Sequence, residues 1–93
     1  MLLDETGAPL ERFDGPVRVH LQFVMPRPKS TPKRSTPPAV KKPDLDKLQR
    51  AMFDAIGSAG VWRDDSQVTD VVAGKRLAGL NETPGVWVRV DAA

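Results

Sequence analysis

Val17, Val19, Leu21, Phe23 and Met25 alternate with Arg18, His20, Gln22 and Val24, the period-two pattern of a strand with one buried face and one more polar face. From Pro26 to Lys42 the alternation is lost. Five prolines in that run each remove a backbone donor and fix φ, which predicts an extended and mobile surface loop and excludes a helix or a central strand. Periodicity returns after it: Leu45, Leu48, Met52, Ala55 and Ile56 recur at three- and four-residue steps, and Gly57 with Gly60 marks a stop. The spacing predicts a helix of about three to four turns that begins at Asp44. Beyond a turn through Trp62 to Ser66, Gln67 to Ala73 reads as a second strand carrying Val68, Val71 and Val72. Gly85 to Val90 reads as a third, with Val86, Val88 and Val90 on one face and Trp87 and Arg89 on the other. The order β, loop, α, β, β predicts a single domain over residues 1–93 of α+β (mixed α/β) class, one helix on a small mixed sheet. So thin a core points to dimerisation or a missing piece.

Composition narrows the chemistry. A chain of 93 residues without cysteine has no disulfides, no thiolate zinc site and no thiol nucleophile. It has no apolar stretch of membrane-spanning length, and Met1 to Glu5 lack the basic and then apolar regions of a secretory leader, so a cytoplasmic protein is expected. The net charge of +2 hides a segregation: Arg27, Lys29, Lys33, Arg34, Lys41 and Lys42 stand between Pro26 and Lys42 with no acid among them. A cationic segment on an otherwise acidic chain suits a phosphate backbone, whose condensed counterions lysine and arginine displace. A solvated linker would look the same.

Beside this segment, Lys42-Pro43-Asp44-Leu45-Asp46-Lys47-Leu48 opens the helix, and Asp64-Asp65 follows it. Residues of a helix stand about 100° apart, so Asp44 and Asp46 share a side only if Asp44 is the N-cap and Asp46 lies in the first turn. The helix N-terminus favours their negative charge. Aspartates are hard oxygen donors of the kind that hold Mg²⁺, which needs neither histidine nor cysteine. Capping and turn formation are the ordinary alternative for all four.

Lys42 to Lys75, in particular Lys-Pro-Asp-Leu-Asp-Lys-Leu-Gln-Arg-Ala-Met-Phe-Asp-Ala-Ile followed by Val-Trp-Arg-Asp-Asp-Ser-Gln-Val, resembles the RusA family of Holliday junction resolvases, especially its phage members. The likeness covers most of Val17 to Val90. It implies a dimeric endonuclease that uses Mg²⁺ or Mn²⁺ to cut four-way DNA junctions by paired incisions. It also implies catalytic, metal-binding carboxylates at Asp44, Asp46 and Asp65, with Asp64 the alternative third ligand. The family's basic helix residue, commonly lysine, falls at Arg50, which keeps the charge and binds phosphate but does not readily release a proton. Lys47 stands where asparagine is common. Family members carry a further strand and helical sequence ahead of the strand at Val17, where this chain has only Met1 to Pro16.

DNA contacts are expected from Arg27, Lys29, Lys33, Arg34, Lys41, Lys42, Lys47 and Lys75, the last placed equally well as a solvated strand-end lysine. Arg50 has an alternative as the i,i+4 partner of Asp54. His20 reads as a surface residue. Trp62 and Trp87 read as core or dimer contacts, or as stacking platforms for unpaired bases.

Overall fold

The computed structural model describes residues 12–93. Strand β1 (Val17–Met25), helix α1 (Leu45–Ser58), strand β2 (Val68–Leu77) and strand β3 (Gly85–Ala92) follow one another, with a 3₁₀ turn at Asp65–Gln67 leading into β2. The segment ahead of Val17, where family members carry a further strand, and the leader reading of Met1 to Glu5 lie largely or wholly outside the described residues. Among the described residues no helix is long and apolar enough to cross a membrane.

The sheet is mixed, as expected, in the order β2-β1-β3. β1 is its centre, parallel to β2 and antiparallel to β3. Its alternation is obeyed: Val17, Val19, Leu21 and Phe23 are buried on one face, and Leu45, Leu48, Met52, Phe53 and Ile56 of α1 pack against them together with Trp62. β2 reaches four residues beyond its expected end at Ala73. The reason is β1, which pairs with it from Val17↔Val68 to Met25↔Leu77 and so supplies backbone partners for the whole stretch. The register slips once, between Val17 and Arg18, passing over Thr69. Gln67, expected in the strand, instead closes the 3₁₀ turn.

One helix covers only part of one face. α1 lies nearer β2 than β3, so Val86 and Val88 remain 41% and 37% exposed. On the opposite face Trp87 meets His20 edge-on at 5.0 Å and stays 51% exposed, and Val72 is 59% exposed. The link between β2 and β3 is fastened by Glu82, which accepts from both terminal nitrogens of Arg76 at 2.7 Å and from the Gly79 N–H at 2.8 Å.

Candidate metal and nucleic-acid site

Asp44 is the N-cap of α1, with extended backbone (φ −67°, ψ 149°), and Asp46 lies in the first turn. That is the backbone arrangement required for the two to share a side. The Asp44 carbonyl accepts the first helical hydrogen bond, from Leu48 N at 3.1 Å, but its side chain makes no capping bond. Both carboxylates are exposed and neither is in an ion pair with a described residue. Two uncapped charges held at the positive end of a helix are stabilised there by the backbone dipoles while their oxygens remain free to bind a ligand.

The Asp64-Asp65 pair divides its work. Asp64 caps the 3₁₀ turn: its Oδ1 accepts from Ser66 N at 2.8 Å, the main cause that holds its pKa below the ordinary aspartate value. Gln67 completes a reciprocal capping box. Its Oε1 accepts from the N–H groups of Arg63 (2.7 Å) and Asp64 (3.0 Å), and its Nε2 donates to the carbonyls of Phe13 and Gly15 at 2.9 Å. One amide thus fastens the turn to the chain that leads into β1. Asp65 is exposed, and its Oδ1 accepts from the indole Nε1–H of Trp62 at 2.9 Å.

Asp65 does not join Asp44 and Asp46. Its Oδ1 lies 3.5 Å from where a side chain on Gly57 would begin, beside the last turn of α1, whereas Asp46 is in the first. At 1.5 Å per residue the two positions are roughly 16 Å apart along the helix axis. No three acidic or histidine side chains among the described residues gather around one point suited to a metal ion. The donor chemistry fits a hard divalent cation. The spacing within one chain does not, because Asp44 and Asp46 stand at the start of α1 and Asp65 lies beside its last turn.

The basic residues also separate. The Arg27 guanidinium donates to Thr36 Oγ1 at 3.0 Å, to the Ala78 carbonyl at 3.2 Å and to the carbonyls of Pro32 and Ser35. It ties the loop to itself and to the residue that follows β2. The loop has no helix or strand, as expected, and with Met25 and Leu77 it lines an open pocket of about 640 Å³. Lys75 likewise spans outward from β2 to the carbonyls of Lys41 (2.8 Å) and Pro43 (2.9 Å), bracing the chain just before Asp44. Lys29, Lys33, Arg34, Lys41, Lys42, Lys47 and Arg50 are exposed, and none forms an ion pair among the described residues. The pair of Arg50 with Asp54 is not formed.

Two roles in this region were not read from the sequence. Gln67 had a signal in the Asp-x-x-Gln spacing of a capping box. The contact of Trp62 with Asp65 had none beyond proximity in the chain.

The family profile described as Endodeoxyribonuclease RusA matches residues 2–91. This chain belongs to the RusA family. Relatives named crossover junction endodeoxyribonuclease RusA, from Escherichia coli strain K12 and Shigella sonnei, and the protein of that name from Enterobacteria phage 82, are each 54% identical to it over 33 residues. That segment is 36% of this chain and 28% of each relative. RusA membership agrees with the mixed three-stranded sheet and single helix of the fold.

Proposed function

We propose that this RusA-family chain is a divalent-metal-dependent endonuclease that cuts four-way DNA junctions, acting as a homodimer. The observation that carries the reading is the pair of uncapped, exposed aspartates at the start of α1, beside a basic loop, in a chain matched along nearly its whole length by an endodeoxyribonuclease family. Asp44 and Asp46 supply two ligands. Asp65 supplies the third, with Asp64 the alternative; each has its Oδ1 engaged by one hydrogen bond, from Trp62 Nε1 and from Ser66 N respectively. Because one chain holds these donors at opposite ends of a helix, the complete site draws Asp44 and Asp46 from one subunit and Asp65 from its two-fold mate. Apolar surface left open at Val86, Val88, Val72 and Trp87 supports such a dimer.

When bound, Mg²⁺ or Mn²⁺ supplies a more acidic water and neutralises charge that builds on the phosphate oxygens. The protein's own share is placement. Arg50, one turn beyond Asp46 and without an ion-pair partner among the described residues, binds the scissile phosphate bidentately. Lys29, Lys33, Arg34, Lys41, Lys42 and Lys47 hold the flanking backbone by counterion displacement, while Lys75 braces the approach to Asp44.

Incubation with labelled four-way junction and with linear duplex, in Mg²⁺ and in chelator, tests the reading. Paired incisions confined to the junction and dependent on metal are expected. Binding to branched or single-stranded DNA without any metal-dependent product would identify a non-catalytic binding module, which the incomplete single-chain site would favour if the protein proved monomeric.

A further inference from the structure

We infer that the apolar pocket between the basic loop and the ends of β1 and β2 receives an unpaired DNA base, so that the loop senses broken base stacking as well as backbone charge. The inference rests on the DNA reading above and deepens it. The pocket is open and measures about 640 Å³, a size that suits a small flat ligand. Met25 and Leu77, paired at the ends of the parallel strands, form one side, and Pro37, Pro38, Ala39 and Val40 of the loop form another. Long-range bonds hold the loop in place around it. Arg27 donates to Thr36, Pro32, Ser35 and Ala78, and Lys75 donates to the carbonyls of Lys41 and Pro43.

Charge selects the occupant. The charged residues that line the pocket, Lys41 and Lys42, are both cations. No acid stands between Pro26 and Pro43, and Lys29, Lys33 and Arg34 are exposed on the same loop. The complementary ligand has a flat apolar body and an anionic tail, as a nucleotide does. An apolar peptide lacks the anion, and a paired base keeps its faces in the stack. A base enters such a pocket only by leaving the stack, which costs least where pairing is already interrupted. Neutralising the backbone does not distinguish a junction from a linear duplex, whereas admitting an unstacked base does. Pro43 borders the pocket and Asp44 follows it in the chain, so the selective element adjoins the start of α1.

The test is made in chelator, where binding is read without cleavage. Wild-type protein is titrated into a four-way junction carrying 2-aminopurine at the branch and into a duplex with one unpaired 2-aminopurine. Every lining side chain is saturated, so a base drawn into the pocket loses its stacking partners and should brighten several-fold. Stacking on an aromatic ring such as the exposed Trp87 would leave it dim. Wild type should also prefer the duplex with an unpaired nucleotide over matched duplex by roughly 10-fold, as burial of part of a base's apolar surface requires. Ala39→Trp fills the pocket from its wall and should remove most of that preference, with matched-duplex affinity within a few-fold of wild type as the sign that the variant is folded. The wild-type fluorescence needs no variant. Dim 2-aminopurine at saturating wild type, or undiminished preference in folded Ala39→Trp, overturns the inference. Metal-dependent junction cutting without brightening would overturn it while sustaining the endonuclease reading; brightening by a protein that never cuts would do the reverse.

Discussion

A mixture of two inactive variants should recover cleavage if the site is shared between subunits. Asp46→Asn removes a ligand at the start of α1, and Asp65→Asn removes the one beside its last turn. The two positions are roughly 16 Å apart along the axis of a single chain, while ligand oxygens on one Mg²⁺ stand about 2.1 Å from the ion and hence within about 4 Å of each other. The mismatch is several-fold, too large for side-chain rotation to close. Each variant alone should lose at least about 10²-fold in single-turnover rate. In a mixed dimer, however, the intact Asp44 and Asp46 of one subunit face the intact Asp65 of the other, which leaves one whole site and one doubly defective site. Random subunit exchange makes about half of the dimers mixed, so roughly a quarter of the wild-type number of sites should return. The assay is single-turnover cutting of an end-labelled junction by proteins mixed under exchange conditions, with dimer content measured by light scattering. Nicks should reappear while paired incisions stay rare, since each mixed dimer cuts one strand. Confirmed mixed dimers that produce no nicks would refute the shared site and return all three aspartates to one subunit or remove Asp65 from the set.

Three further outcomes follow from particular side chains. Arg50→Lys should keep substantial single-turnover activity and Arg50→Ala should lose roughly 10²- to 10³-fold; unchanged turnover in the alanine variant would remove Arg50 from the phosphate. Changing Lys29, Lys33 and Arg34 together to alanine should weaken junction and duplex binding alike and flatten the salt dependence by up to about 0.9 for each phosphate no longer neutralised. Arg27→Ala should instead expose the loop to protease with a smaller change in salt slope, because its guanidinium is engaged by loop oxygens. Glu82, held down to about 2 by Arg76 and the Gly79 N–H, binds protons more weakly folded than unfolded. Its contribution to stability is therefore complete above its ordinary 4.5 and is lost as pH falls toward about 2, so melting temperature should drop across that window, and less steeply in Glu82→Gln.

Features that depend on near neighbours in the chain were legible without coordinates. The buried face of β1 follows from an alternation of five apolar residues, and the N-cap at Asp44 from an aspartate just ahead of a helical repeat. The Asp64-Gln67 capping box carries its signal in a three-residue spacing, although Gln67 was expected to open the strand. In each case the partners lie within one helical turn or one pleat, where local geometry decides the contact. The fate of the cations was different. The bond of Arg27 to Ala78, 51 residues away, and those of Lys75 to Lys41 and Pro43, 34 and 32 residues back, have no signal in the local sequence. The length of β2 was set by β1, a distant template whose backbone groups needed partners as far as Met25. Most consequential is the aspartate set. Sequence placed three suitable donors close together along the chain, but a rigid α1 holds Asp46 and Asp65 at opposite ends. Residue type determined which groups can bind a cation, and only the path of the chain through space determined which of them can bind the same one.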